Sequence, residues 1–135
     1  MSERQIDADA HAKEWVSKAE QDYRTAVALE PTDVPDVVCF HCQQCVEKYL
    51  KATVAAYTEP VPRTHDLTEL NKRAEVHEHS LARIYEALDT LNPYSVLIRY
   101  PGYNATVNDA ESALDAMKRA RAVLRRTDAL SVLSE

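Results

Sequence analysis

The chain contains a single glycine, Gly102, among its 135 residues. Tight β-hairpin turns need residues with positive φ, and glycine adopts that conformation without a steric cost. A protein built from several hairpins would therefore need more glycines than this chain has. Helices need none in their interiors, and the helix-favouring residues alanine, leucine, glutamate, arginine and lysine are abundant. The sequence predicts an all-α protein.

Apolar residues recur at helical spacing in five segments, which predicts five helices. These segments cover residues 9–29, 33–57, 64–76, 81–91 and 106–130. Thr64, Ser80 and Thr106 are the predicted N-caps, and Asp109 completes a capping-box pattern with Thr106. Short connections between long helices favour an antiparallel up-and-down bundle of about five helices. We expect one domain over residues 1–135.

Charge and composition exclude several classes of protein. The net charge of −6 disfavours broad, sequence-independent binding of nucleic acid. No apolar run approaches the roughly 20 residues of a membrane span, and no signal peptide is visible. Three cysteines without a secretory context favour reduced thiols, so we expect a cytoplasmic protein without a membrane. The basic segment 118–126 either complements a helix C-terminus or binds phosphate.

The string CFHCQQC, residues 39–45, gathers three cysteines and a histidine as a metal site would. At about 100° per residue, however, Cys39, Cys42 and Cys45 all fall in the apolar half of the second helix. A four-thiolate cluster also lacks its fourth cysteine, and metal knuckles bend the chain instead of continuing a helix. We therefore expect buried thiols, no metal and no cofactor.

The opposite half of the same helix carries a polar stripe. His41, Gln44 and Lys48 fall within an arc of about 60°, and Lys51 extends it. An imidazole, an amide and an ammonium group on adjacent turns can bind an anion or donate a proton to a phosphate ester. The same residues also suit a solvated face or a hydrogen-bond network between helices, and their spacing does not choose between these interpretations.

The segment FHCQQCVEKYLKA, residues 40–52, resembles the signature helix of HEPN domains, which are small helical modules of prokaryotes and some higher eukaryotes. Three further stretches match in order: THDL at 64–67, LNPY at 91–94 and IRYP at 98–101. The last helix, TVNDAESALDAMKRARAVL, resembles the closing segment of the family. The resemblance spans nearly the whole chain, although the family often has alanine where this chain has Cys42 and Cys45.

The resemblance implies a bundle of about five helices that commonly forms a homodimer. Family members are often encoded beside a minimal nucleotidyltransferase, as toxin–antitoxin or related defence pairs. Some are metal-independent RNases, and others bind nucleotides or only protein partners. The RNases usually carry an arginine with a histidine about a turn or more later. Here no histidine follows Arg99, which argues against an enzyme.

The sequence thus predicts a nucleotide- or phosphate-binding and partner-binding module that acts with a minimal nucleotidyltransferase in a toxin–antitoxin-like or defence pair. The expected ligand, a nucleotide or RNA, would contact His41, Gln44, Lys48, Lys51, Arg99 and Tyr100. One alternative is a metal-independent RNase that uses His41 and Arg99 on one phosphate. Another is a purely structural dimerisation or assembly protein.

His65 and three tyrosines outside the stripe have structural interpretations. His65 lies in the first turn of the predicted third helix, where its ring can cap or pack against a neighbour. Tyr94, Tyr100 and Tyr103 suit the closing of one end of the core better than stacking on a base.

Overall fold

The computed structural model describes residues 2–134, within which the chain is helical and contains no β-strand. The α-helices are α1 (Glu3–Ala28), α2 (Pro35–Ala56), α3 (Leu67–Glu75), α4 (Tyr85–Leu91), α5 (Val107–Arg125) and α6 (Asp128–Ser131). Short 3₁₀ turns lie at His79–Ile84, Asn92–Ser95, Leu97–Arg99 and Val132–Ser134. The all-α prediction is confirmed, with six α-helices in this range instead of about five. No helix in residues 2–134 has the length and apolarity needed to cross a bilayer.

The central element of the bundle is α2, which contacts every other α-helix and packs most extensively on α1 and α5. Fifteen of its 22 residues are buried. Val46, Tyr49 and Leu50 from α2 join Leu88 and Met117 in the main core. Because neighbouring helices cover α2 on most sides, they also enclose part of its polar half. Some polar side chains of the candidate site are therefore buried.

Cys39, Cys42 and Cys45 are free and fully buried in the half of α2 that faces the core. Burial raises the pKa of the Cys39 thiol to about 11 and that of Cys42 to about 12. The pKa of Cys45 is raised by burial as well. The prediction of buried thiols is confirmed, and residues 2–134 contain no group of three His, Cys, Asp or Glu side chains that could hold a metal ion.

Two of the three N-caps predicted from the sequence do not cap an α-helix in the structure. Asp66, not Thr64, caps α3, because its carboxylate accepts hydrogen bonds from two backbone N–H groups of the first turn at 2.9 and 3.4 Å. Ser80 caps no α-helix, since it lies inside the 3₁₀ turn that precedes α4. Thr106 does form the predicted capping box with Asp109 at the start of α5.

The first and last predicted helices also have different bounds. The first begins at Glu3 instead of residue 9, because Ser2 caps it. The last divides into α5 and α6, because Thr127 leaves the helical path and its side chain caps α6. Glu78 then accepts hydrogen bonds from the first backbone N–H groups of α6 at 3.3 and 3.1 Å, which docks this short helix on the bundle.

Two described residues have positive φ, and both lie between helices. Gly102, in the loop before α5, has a φ of 92°. Thr58, just after α2, has a φ of 62°, a left-handed conformation that costs an L-residue roughly 1–2 kcal/mol. The helical architecture therefore requires few such positions, which is why one glycine suffices.

Candidate functional site

The polar stripe of α2 is organised by a carboxylate from α1. Asp22 is buried opposite the first half of the stripe. Its Oδ1 pairs with Nδ1 of His41 at 2.8 Å, and its Oδ2 accepts a hydrogen bond from Nζ of Lys48 at 2.6 Å. Both carboxylate oxygens are therefore used, and they hold an imidazole and an ammonium group two turns apart on α2.

The contact with Asp22 determines which nitrogen of His41 is available to a ligand. An ionised carboxylate only accepts hydrogen bonds, so Nδ1 of the ring carries a proton and donates it. Nε2 makes no hydrogen bond with a described residue. The His41 side chain is 25% exposed and that of Lys48 is 24% exposed. The arrangement thus presents an oriented imidazole that can exchange a proton with a ligand or bind an anion.

A second buried carboxylate, Glu47, organises the other half of the stripe. It pairs with Nζ of Lys51 at 3.1 Å and with Nδ1 of His65 at 2.9 Å. Gln43 donates to it at 3.3 Å and also to the His65 carbonyl at 3.1 Å. Gln44 donates to Oε1 of Gln43 at 2.8 Å. One carboxylate therefore gathers Gln44 and Lys51, which were predicted to bind a ligand, with His65, which was predicted to be structural.

Lys51 is far less accessible than the other residues of the stripe. It is 7% exposed, and its ammonium group lies between the Glu47 carboxylate and the Trp15 ring, 5.4 Å from the ring centre. A ligand would have to displace both contacts to reach it. The position favours compensation of the Glu47 charge, which leaves His41, Gln44 and Lys48 as the accessible part of the stripe.

Arg99 and Tyr100 lie at the end of a 3₁₀ turn and are more exposed than the residues of the stripe. Arg99 ends the 3₁₀ turn Leu97–Arg99, which contacts α2. Its guanidinium makes no hydrogen bond or ion pair within residues 2–134, and Tyr100 is 60% exposed. No hydrogen bond joins Arg99 to His41, which are both among the described residues.

Two of the matched motifs meet beside the stripe. Asn92, in LNPY, donates from Nδ2 to Asp66 at 3.0 Å and accepts from the backbone N–H of Leu67 at 2.9 Å. This hydrogen bond from Asn92 is the main reason that the pKa of Asp66 is held below its usual range. The contact fixes the start of α3 and hence the position of His65 beside Glu47.

Of the two carboxylates, Asp22 could not be identified from the sequence pattern of α2. Asp22 belongs to another helix, and helical spacing does not show which residue of α1 faces His41. Glu47 had one signal, because it lies four residues before Lys51, at the spacing of an intrahelical ion pair. No sequence pattern linked His65 to Glu47, because Glu47 lies 18 residues earlier in the chain.

The basic segment 118–126 serves partly to join helices. Arg121 forms a bidentate pair with Glu20 of α1 at 2.8 and 2.7 Å, and it lies 3.8 Å from the centre of the Tyr23 ring. Arg125 adds a contact to Glu20 at 3.3 Å. Burial alone would raise the pKa of Glu20, but hydrogen bonds from Arg121 and Tyr49 outweigh it and lower that pKa.

The fold and the stripe define a class of protein: a small helical bundle whose central helix carries polar side chains held by buried carboxylates. A family model described as the HEPN domain matches residues 12–129, so the chain belongs to the HEPN domain family. Its structure is similar to that of TT1696 from Thermus thermophilus, with a TM-score of 0.67 and 26% identity, over 84% of this chain and 95% of that chain. No curated protein matches the chain.

Proposed function

We propose that this HEPN protein binds a nucleotide or another phosphate ligand along the polar stripe of α2. The observation that carries the proposal is the pairing of the buried Asp22 carboxylate with His41 and Lys48. A carboxylate that served only to join α1 to α2 would not need a partly exposed imidazole with a free Nε2. The ligand would contact His41, Gln44 and Lys48 first.

The charges of the stripe fit an anionic ligand. Lys48 balances the Asp22 carboxylate, so a proton on Nε2 of His41 gives the group a surplus of one positive charge. A bound phosphate favours that protonated ring, because an opposite charge nearby stabilises the charged form. Gln44 lies between His41 and Lys48 in the sequence, and its amide, which donates to Gln43 at 2.8 Å and to Glu47 at 3.5 Å, would exchange one of these contacts for the ligand. Lys51 contributes indirectly, because its ammonium group compensates the charge of Glu47.

Arg99 and Tyr100 would bind the remainder of the ligand. Both are exposed, and the Arg99 guanidinium has no partner within the described residues that a ligand would have to displace. A guanidinium suits bidentate binding of phosphate, and a tyrosine ring suits stacking on a base. Their turn contacts α2, so a nucleotide that extends beyond the stripe can meet them.

The proposed partners are a second copy of the chain and a minimal nucleotidyltransferase, within a toxin–antitoxin-like or defence pair in the cytoplasm. Family membership supports this part of the proposal. Exposed apolar side chains support it as well: Val96, Leu97 and Tyr100 follow one another closely in the segment after α4, and Val37 is exposed at the start of α2. Apolar exposure of this kind is typical of interaction surfaces.

The binding proposal is tested by titrating ¹⁵N-labelled protein with ATP in the presence of EDTA. We expect saturable chemical-shift changes at His41, Gln44 and Lys48, and loss of binding in His41→Gln. The matched control is His79→Gln, which changes an exposed histidine without a hydrogen-bond partner in the described chain. If saturating ATP perturbs none of the three residues, the protein is an assembly module and the proposal is wrong.

A metal-independent RNase is the second candidate, and the Asp22–His41 pair favours it because a carboxylate-oriented imidazole suits a general acid or base. Cleavage would also need Arg99, which must approach the same phosphate on binding. We would incubate RNA with the protein in EDTA and compare His41→Ala, Arg99→Ala and His79→Ala. The RNase function requires cleavage that only the first two variants abolish. Intact RNA with the wild-type protein excludes it.

A further inference from the structure

The chain after α5 folds back over a small apolar cluster beside the C-terminal end of α2. The buried members of this cluster are Ala12 of α1 and Ala55 and Ala56 of α2. The side chains that pack against it are Trp15, Val61, Ala129 and Leu133. We call residues 127–133 the strap, because Ala129 and Leu133 belong to this segment and pack across the cluster.

One residue separates the strap from a continuation of α5. Arg126 is still in the right-handed helical region, whereas Thr127 has a φ of −61° and a ψ of 151°. That φ is already helical, so rotation of ψ to about −42° would continue α5 into α6. The helical spacing of apolar residues predicts such a single helix over residues 106–130. The strap therefore has a second conformation that its sequence also favours.

The carboxylate of Glu78 holds the strap in the folded-back conformation. It accepts hydrogen bonds from the backbone N–H groups of Asp128 and Ala129 at 3.3 and 3.1 Å. The hydroxyl of Tyr57, the C-cap residue of α2, donates to the same carboxylate, which is 7% exposed. Because Glu78 lies 50 residues before Asp128, this attachment is tertiary and not part of α6 itself.

The two conformations satisfy the same backbone groups. In the folded-back strap, Asp128 and Ala129 donate to Glu78. In a continuous helix, the same N–H groups would donate to the carbonyls of Leu124 and Arg125. A helix as short as α6 is not stable alone, so it depends on its docking. Loss of the contact with Glu78 would hence favour the continuation of α5 over an unfolded strap.

The strap is incompletely packed on its outer side. Val132 is 64% exposed, and a cavity of about 490 Å³, partly open to solvent, lies between α1 and the strap. Gln5 and Lys13 line this cavity from α1, and Val132 and Leu133 line it from the strap. Leu130, in contrast, is 1% exposed and belongs to the main core. The strap is thus held mainly by Leu130 and by the Glu78 carboxylate.

We propose that the strap is a conformational switch with Glu78 as its latch. In the closed state it covers the cluster of Ala12, Ala55 and Ala56, and in the open state α5 continues as one helix through Ser131. Opening exposes this apolar surface, so one carboxylate governs access to it. The switch does not depend on the proposed ligand of the stripe and can be tested without it.

NMR spectroscopy of the full chain tests the switch through Glu78→Gln. An amide oxygen accepts more weakly than a carboxylate, so the strap should open more often. The ¹³Cα resonance of Thr127 should move toward its helical value. Amide hydrogen exchange of Leu130 should become about tenfold faster, while that of Ala120 in the centre of α5 should change less than about twofold, because only the strap opens.

Glu75→Gln is the matched control. Glu75 also accepts a hydrogen bond from a tyrosine hydroxyl, that of Tyr85, but it makes no hydrogen bond with the strap. Trp15 is the sole tryptophan of the chain, so acrylamide quenching of its fluorescence reports whether the strap covers it. Glu78→Gln should raise the quenching constant about twofold, because local opening exposes the ring, and Glu75→Gln should leave it unchanged.

Asp128→Pro tests the direction of the movement. The residue before a proline avoids the helical region, so this substitution keeps Thr127 extended, and proline suits the first position of α6. It removes one N–H group that donates to Glu78, at 3.3 Å, and leaves that of Ala129 in place. In the double variant Glu78→Gln/Asp128→Pro, the ¹³Cα resonance of Thr127 should therefore stay at its wild-type position.

The contrary outcomes are distinct. If Glu78→Gln speeds exchange of Ala120 as much as that of Leu130, the carboxylate stabilises the whole bundle and there is no switch. If Leu130 exchanges faster while Thr127 stays extended, the strap unfolds and the proposed open state is wrong. If neither residue responds, Glu78 is not a latch.

The wild-type protein provides a test that does not depend on whether the variants fold. Leu130 and Ala120 are both buried, yet Leu130 should exchange at least about tenfold faster, because it is released by local opening. Equal protection of the two amides would mean that the strap leaves the bundle only when the whole protein unfolds, and the proposed switch would be wrong.

Discussion

The carboxylate of Asp22 on α1 pairs with Nδ1 of His41 on α2 at 2.8 Å. Because Asp22 is buried and its second oxygen is occupied by Lys48, the carboxylate cannot follow the imidazole into solvent. The packing of α1 on α2 therefore sets the orientation of the ring that the proposed site uses. Asp22 is a positioning residue, since a ligand would touch His41 and not the carboxylate behind it.

Asp22→Asn should release His41 while keeping the size of the side chain. The amide removes the charge that holds Nδ1–H and leaves Lys48 without its partner. Loss of hydrogen bonds to a charged group should lower the free energy of unfolding by about 1–3 kcal/mol. Imidazole ¹⁵N chemical shifts should change from the Nδ1–H tautomer toward a mixture of tautomers.

Asp115→Asn provides the matched control, because Asp115 forms an exposed ion pair with Arg119 on α5. It should change stability by less than about 0.5 kcal/mol and leave the His41 tautomer unchanged. If Asp22→Asn retains the Nδ1–H tautomer of the wild-type protein, the carboxylate does not position the ring.

The three cysteines should be unreactive in the folded protein. Burial raises the pKa of Cys39 to about 11 and that of Cys42 to about 12, so little thiolate forms at pH ~8. We expect a thiol reagent such as DTNB to label no cysteine of the native protein within minutes and all three in guanidinium chloride. Rapid native labelling would show that this face of α2 is not packed against the core.

Cys42→Ala and Cys42→Ser should differ in stability, although both replace the sulfur by a smaller group. Alanine loses packing contacts, whereas serine also buries a hydroxyl group, which costs about 1–3 kcal/mol when it lacks a partner. Urea denaturation should therefore show that the serine variant is the less stable of the two. Equal stability would mean that the hydroxyl finds a hydrogen-bond partner in the core.

Glu20→Gln should weaken the attachment of α5 to α1. The substitution removes the charge that Arg121 contacts in bidentate geometry, and both side chains are about four-fifths buried. We expect a loss of about 1–3 kcal/mol by urea denaturation, against a change below about 0.5 kcal/mol for Asp115→Asn. A loss no greater than that of the control would mean that the arginine pair contributes little to the packing.

Asp66→Ala should destabilise the protein by about 1 kcal/mol at pH ~7, because it removes the N-cap of α3. The folded-state pKa of Asp66 lies below its ordinary value, so its ionised form contributes stability above pH ~4 that is lost as the pH falls through the folded-state pKa. The difference between wild type and variant should thus shrink as the pH falls below about 4.

Thr64→Ala is the control for Asp66, since Thr64 was the N-cap predicted from the sequence. Among residues 2–134 its hydroxyl accepts one hydrogen bond, from the backbone N–H of Asp66 at 3.1 Å, so its removal should cost less than the removal of Asp66. A larger cost for Thr64→Ala, or a difference between wild type and Asp66→Ala that does not depend on pH, would contradict the assignment of the cap.

The fold was predictable because its determinants are local. Helical periodicity and the single glycine exclude sheets, and the rotation of residues about α2 correctly buried Cys39, Cys42 and Cys45. Only part of the site could be predicted. The stripe can be read from the sequence of a single helix, whereas the side chains that contact it from other helices cannot. Asp22 meets His41 only through the packing of α1 on α2, and Glu20 meets Arg121 across 101 residues of sequence.

The most direct test of the proposed site is a long-range ¹H–¹⁵N spectrum of the wild-type imidazoles during a titration with ATP in EDTA. We expect that His41 starts as the Nδ1–H tautomer, that its Nε2 resonance moves toward the protonated form with saturation, and that the exposed His79 does not respond. A His41 ring that stays unchanged at saturating ATP, or that moves no more than His79, would contradict the proposal that the stripe held by Asp22 is a phosphate-binding site.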